Sequence, residues 1–144
     1  MAQVNPYLNF KGNCEEAFTF YKSVFGGEFT FIGRFKDMPA PDITLSEEEG
    51  NMIMHVSLPI SKETTLFGSD VNGPWTAQFV TGNNISLSVN TESEAEAKRI
   101  FDGLSAGGQV TMPLEKTFWN AYFGMFTDKF GISWMVNYDY NTSQ

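Results

Sequence analysis

His55 is the one histidine of the chain. It stands in the run NMIMHVSLPI (51–60), whose alternation predicts a strand. Met52, Met54, Val56 and Leu58 then share one face, and Asn51, Ile53, His55 and Ser57 the other. Imidazole is the side chain that most readily exchanges protons near neutral pH, which makes His55 a candidate general acid or base. No partner carboxylate is evident in the sequence, so a histidine hydrogen-bonded within its strand layer, or one that contacts a ligand, is the plainer reading. Cys14 is the only thiol. It sits where a helix should start, a place that lowers a thiol pKa, but it shares an apolar stripe with Phe18 and Tyr21, which argues for packing. Glu115, expected in a loop before the last hairpin, could bring a carboxylate to a site, although an exposed loop acid is the default. Tyr7, Trp75, Trp119 and Tyr122 could form an aromatic wall for a flat or cationic ligand. Core packing would explain many of them equally well in a chain that is 15% aromatic.

These residues have to be positioned by elements that the punctuation of the sequence marks out. VNPYLNF (4–10) alternates Pro6, Leu8 and Phe10 against Asn5, Tyr7 and Asn9, a strand with one apolar face. Asn13 followed by Glu16 has capping-box spacing, and Cys14, Ala17, Phe18, Tyr21, Val24 and Phe25 recur at helical spacing until Gly26-Gly27. A strand is expected at about 28–36. The stretch 37–50 reads as a loop with one short helical turn after Ser46, and 64–69 as the partner of the 51–60 strand. Asp70 is expected just past its end. After a Gly/Pro/Asn-rich connector the order repeats. A strand at 84–89 leads to a helix from Ser93 with Ala97, Ile100, Phe101 and Leu104 as its stripe. A strand at 109–112 and a hairpin at 118–138 follow, the hairpin turning at Thr127–Gly131. The expected register pairs Phe126 with Ser133 and Tyr122 with Asn137, all facing inward, with Trp119 on the opposite parity. The order strand, helix, three strands is thus written twice, and because each module has a one-sided sheet the two halves are expected to pair to close a core.

Net charge is −8, which disfavours nucleic-acid partners because these need a basic footprint. No apolar run approaches the length of a membrane span. With one cysteine and no basic-then-apolar leader at the N-terminus, the expected location is the cytoplasm. No nucleotide fingerprint, phosphate loop or nucleophile elbow is present.

The segments PYLNFKGNCEEAFTFYKSVFGGEF (6–29), MHVSLPI (54–60) and FW…FG…TDKFGISWMVN (118–137) resemble the PhnB-like branch of the vicinal oxygen chelate (VOC) superfamily, which includes glyoxalases, dioxygenases and bleomycin-resistance proteins. The resemblance covers nearly the whole chain. It implies an α+β fold: a single domain, 1–144, of two β-α-β-β-β modules, about 4–70 and 84–138, joined by a loop at 71–83. The modules would form a curved, mostly antiparallel sheet around a cleft, with the helices outside. It also implies a homodimer. The ligand-binding residues expected from face parity and aromatic character are His55, Tyr7, Asn9, Trp75, Trp119, Tyr122 and Met135. Superfamily metalloenzymes hold a divalent ion with His and Glu from four strands. By strand position those sites fall on Asn5, Phe67, Asn84 and Met135 here, a donor set too weak for such an ion. The expected function is therefore binding of a small organic molecule without a metal cofactor and with no assigned reaction. Two alternatives remain: a glyoxalase- or dioxygenase-type enzyme with a divalent ion at a degenerate site, and a resistance-type protein sequestering a cationic drug. Some relatives carry a demethylubiquinone methyltransferase label. Nothing in the sequence resembles the glycine-rich cofactor loop that such a label requires.

Overall fold

A computed structural model describes residues 2–37 and 44–142, with the side chains of all these but Pro74, Trp75 and Thr142. The chain forms two compact units, Met1–Val80 and Thr81–Gln144. The first contains β1 (Tyr7–Phe10), α1 (Cys14–Phe25), β2 (Phe31–Arg34), the short α2 (Glu47–Asn51), β3 (Ile53–Pro59) and β4 (Thr65–Asp70). The second contains β5 (Leu87–Asn90), α3 (Glu94–Ser105), β6 (Gln109–Lys116), β7 (Ala121–Thr127) and β8 (Ser133–Asp139). The sheet orders are β1-β4-β3-β2 and β5-β8-β7-β6. In both, the first and last strands of the module pair in parallel and the other two pairings are antiparallel. The repeat is one of topology, as its punctuation suggests.

Each helix covers one face of its own sheet. Cys14, Ala17, Phe18 and Tyr21 are fully buried along α1, and Ala97, Ile100, Phe101 and Leu104 are buried along α3. Both stripes have the i, i+3, i+4, i+7 spacing of an amphipathic helix. A glycine in the sheet beneath each helix makes room for a ring. A Cβ on Gly68 would strike the Phe18 ring, and one on Gly124 would come within 2.6 Å of the Phe101 ring. Phe101 in turn meets Phe126 edge-on at 5.0 Å.

The start of α1 is not capped as its sequence suggests. Asn13 makes no side-chain cap; the carboxylate of Asp70 does that work instead. Its Oδ1 accepts from the amides of Gly12 and Cys14 at 2.9 Å, and its Oδ2 from the amide of Ile53 at 2.9 Å. Asp70 is the last residue of β4 and is buried, not placed beyond the strand as expected. One carboxylate therefore ties together a helix start, a strand start and a strand end. In the second module Ser93 does cap α3, accepting from the amide of Glu96 at 3.0 Å. The turn after Ser46 is α2, closed by a capping box between Ser46 and Glu49; residues 38–43 of the expected loop lie outside the described residues. The connector after β4 contains a 3-10 helix, Gly73–Gln78.

Three strand details differ from the sequence reading. β2 is shorter than 28–36, because the chain turns into a 3-10 helix at Phe35–Asp37. In β3, Gly33 faces His55 while the next residue, Arg34, faces Ile53, so Met54 is an extra residue in the ladder. That bulge reverses the parity below it and sends Ile53 into the core, not to the face of His55. In the hairpin, Phe126 pairs with Trp134 and Tyr122 with Tyr138. The register is one residue off the expected pairing, and one residue exchanges the faces. Phe126 and Trp134 are accordingly buried. Asp128 fixes the turn that sets this register, accepting from the amides of Phe130 and Ile132 and from Trp134 Nε1 at 2.8–3.0 Å.

Asp70→Ala leaves three amides without their charged acceptor and should cost about 3 kcal/mol, read as a lowered urea midpoint with unchanged slope. Arg34 holds Glu15 through two parallel hydrogen bonds of 3.0 and 2.7 Å, which pull the Glu15 carboxyl below its ordinary range. The depressed pKa means that its stabilisation is present above the unfolded carboxylate pKa and is lost as pH falls through the folded value. The pair is partly exposed, so Glu15→Gln should cost about 0.5 kcal/mol at pH 7 and nothing near pH 2.

Candidate functional site

With one face of each sheet under a helix, the remaining face carries the side chains available to a ligand. In the first module one row across the sheet is Tyr7, Phe67, Ser57 and Phe31, which pair in that order through β1, β4, β3 and β2. His55 stands in the next row, opposite Gly33. Three aromatic rings surround the imidazole: Phe67 stacks at 5.6 Å, and Tyr7 and Phe31 lie tilted at 5.7 Å each. Tyr7 and Phe31 are about half exposed, at 48% and 49%, so the cluster is open on both flanks.

Both nitrogens of His55 have hydroxyl neighbours. Tyr7 Oη is 3.2 Å from Nδ1, and Ser57 Oγ is 3.2 Å from Nε2. A hydroxyl can donate or accept, so either neutral tautomer is satisfied, and an imidazolium would donate to both. Among the described residues no carboxylate hydrogen-bonds His55. Asn9 lies in the same layer, where its Oδ1 accepts from Ser69 Oγ at 3.3 Å. Asn5 precedes β1, and its Oδ1 accepts from the amide of Thr65 at 3.2 Å.

The second module presents two rows on its open face. Ser88, Met135, Met125 and Met112 form one, and Asn90, Asn137, Phe123 and Glu115 the other. Asn137 Nδ2 donates to Asn90 Oδ1 at 3.4 Å. Glu115 lies within β6, not in a loop, because that strand runs on past the expected end at 112. Trp119 and Tyr122 exchange the faces that parity alone suggests. Trp119, in the β6–β7 turn, contacts Phe123 at 5.9 Å and so flanks the open face. Tyr122 shares the parity of Gly124 and Phe126, the side packed on α3. Trp75 lies on the 3-10 helix Gly73–Gln78, and its side chain lies outside the described residues.

The donors do not fit a divalent ion. Among the described residues no three His, Cys, Asp or Glu side chains form a group that could hold one. At the positions that correspond to superfamily ligands, Asn5 already accepts from Thr65, Phe67 and Met135 offer no hard donor, and Asn84 is exposed ahead of β5. Cys14 supplies no thiolate either. Burial, and after it the nearby Asp70 carboxylate, push its thiol pKa far up.

Residues 2–137 match the family model described as 3-demethylubiquinone-9 3-methyltransferase. The chain belongs to this PhnB-like family of the VOC superfamily. The crystal structure of PA1353 from Pseudomonas aeruginosa is 40% identical, with 96% of this chain and 98% of that one covered and a TM-score of 0.82. A PhnB protein from Bacillus cereus, titled a putative 3-demethylubiquinone-9 3-methyltransferase, is 28% identical over 95% of this chain and 99% of its own, with a TM-score of 0.71. The wider fold is shared with a glyoxalase/bleomycin resistance protein/dioxygenase family enzyme from Burkholderia phytofirmans PsJN, at 14% identity, 94% and 98% coverage and a TM-score of 0.60. The two β-α-β-β-β modules of this PhnB-like chain are those of the VOC fold.

Sequence reasoning brought His55, Tyr7, Asn9 and Ser57 to one face. It missed Phe31 as a flank of His55, because strand alternation gave a parity for β2 but not its register against β3. The hydroxyl contacts yield a direct check. In ¹⁵N spectra of the His55 ring, Tyr7→Phe and Ser57→Ala should each move the ring nitrogens, because losing either hydroxyl removes one hydrogen bond and changes the tautomer balance. Insensitivity of both nitrogens would remove the hydroxyl pairing.

Proposed function

We propose that this PhnB-like protein binds a small organic molecule on the open faces of its sheets, without a metal ion, as a homodimer in the cytoplasm. The observation that carries the reading is the half-exposed aromatic surround of His55. Concave or open apolar surface with a few polar groups that fix orientation is what small-molecule sites are made of. Tyr7, Phe31 and Phe67 supply apolar area, and the Tyr7 hydroxyl, His55 and the Asn9 amide supply direction. The homodimer comes with the resemblance to the superfamily, and the single cysteine supports the cytoplasm.

A methyltransferase activity is not proposed, although the family model's description names one. A nucleotide-type methyl donor is bound by a glycine-rich loop that opens a helix N-terminus. The start of α1, which follows β1 and Gly12, is already filled by the Asp70 carboxylate. A metal-dependent glyoxalase or dioxygenase reaction would need donors that the four corresponding positions do not supply.

Thermal denaturation in the presence of a library of aromatic acids, phenols, quinones and organic amines tests the reading. A true ligand at a hundred times its Kd should stabilise the protein by about 2.7 kcal/mol, or several degrees in Tm for a domain of this size. His55→Ala with Tyr7→Leu should abolish the shift. Hits that stabilise the double variant as strongly as the wild type would place binding elsewhere and overturn the assignment.

A further inference from the structure

The second module's open face carries an arrangement that neither its core nor its hairpin requires. Glu115 on β6 pairs with Phe123 on β7, so its carboxylate rises on the same side as the Phe123 ring. Trp119 lies at 5.9 Å from Phe123, inclined at 63°. Phe118 meets Trp119 edge-on at 4.9 Å. Phe118 and Trp119 are exposed, at 97% and 49%. Three aromatic rings and one carboxylate thus stand together at the end of the sheet nearest the β6–β7 turn. Exposed aromatic area of this kind is costly to leave in water without a use.

Among the described residues no ion pair to the Glu115 carboxylate is present. The basic residues of 81–144 are Lys98, Arg99, Lys116 and Lys129. Lys98 and Arg99 lie on α3, which covers the other face, and Lys98 pairs with Asp102 at 2.7 Å. Lys116 is one residue from Glu115, and strand alternation sends it to the opposite side, over the Tyr140 ring at 5.2 Å. Lys129 sits at the far turn, over the Phe130 ring.

We propose that Glu115, Trp119, Phe118 and Phe123 form a subsite for an organic cation, such as the quaternary or tertiary ammonium group of a ligand. Ring faces attract such a cation through their quadrupoles, and the carboxylate on the neighbouring strand adds a full charge. The chain's net charge of −8 favours approach of the same class of ligand. This deepens the reading above, since it rests on the open faces being ligand surfaces and names the class that one of them takes.

The test compares choline with its neutral carbon isostere, 3,3-dimethyl-1-butanol, by following the indole N–H resonance of Trp119, identified through Trp119→Phe. Choline should shift that resonance saturably while the isostere should not. Glu115→Gln should weaken choline by about fivefold, and raising NaCl from 20 mM to 500 mM should weaken it in the wild type but little in the variant. Glu115 is exposed, so Glu115→Gln leaves the fold intact. Equal responses to choline and the isostere, or no saturable response to choline, would overturn the cation assignment. Repeating the titration in His55→Ala separates this subsite from the site of the first module: an unchanged choline response there stands whatever the fate of the His55 reading, whereas thermal hits at His55 without a choline response would sink this inference alone.

Discussion

Each sheet has one helix to cover it, and that ratio governs which side chains are buried and which are not. A module of four strands and a single long helix can bury only one face of its sheet, and the fully buried side chains obey that division: Phe18, Tyr21, Val56, Leu58 and Leu66 in the first module, Leu104, Phe126, Trp134 and Val136 in the second. Strand alternation then forces the intervening residues onto the uncovered side. Tyr7, His55 and Phe67 stand there in one module, and Phe123, Met125 and Met135 in the other. The residues on the uncovered faces are thus those left over by core packing, and the same architecture can carry different side chains there without disturbing the core.

The covered faces are pinned by buried carboxylates. Asp70 gathers amides from α1 and β3, and Asp128 gathers amides and an indole N–H within the last hairpin. Buried acceptors without such donors would be costly, and with them they fix geometry. Their consequence for the open face is indirect but definite. Asp70 sets where β3 begins relative to β4, and so where His55 stands against Phe67. Asp128 sets the hairpin register that turns Phe123 and Met135 outward together. It also follows that the N-terminus of α1 is occupied from within the protein and offers no site for an external anion.

Much of this was legible in the sequence because it depends on short-range pattern. The apolar stripes at Cys14–Tyr21 and Ala97–Leu104, the Ser46 and Ser93 caps, the Asp128 turn and the parity of His55 and of Tyr7 each on its own strand all follow from spacing within a single element. What was not legible depends on contacts between elements. The Asp70 cap joins residues 56 and 58 positions apart, and Asn13 with Glu16 offered a local cap that the structure does not use. The bulge at Met54 and the one-residue register of the hairpin arise from strand pairing, and each exchanges faces, for Ile53 in one case and for Phe126 and Tyr122 in the other. Glu115 gained its significance only when β6 proved longer than its hydrophobic pattern and brought the acid beside Phe123.

The central claim is that the open faces of this PhnB-like protein hold an organic molecule through aromatic and polar side chains, with no divalent ion involved. Elemental analysis of the purified protein, before and after incubation with Zn²⁺, Ni²⁺, Mn²⁺ and Fe²⁺ and removal of unbound ion, tests it most directly. The account predicts that retained metal stays far below one ion per chain under every condition. Retention close to one ion per chain, lost in His55→Ala, would contradict it and make His55 a metal ligand.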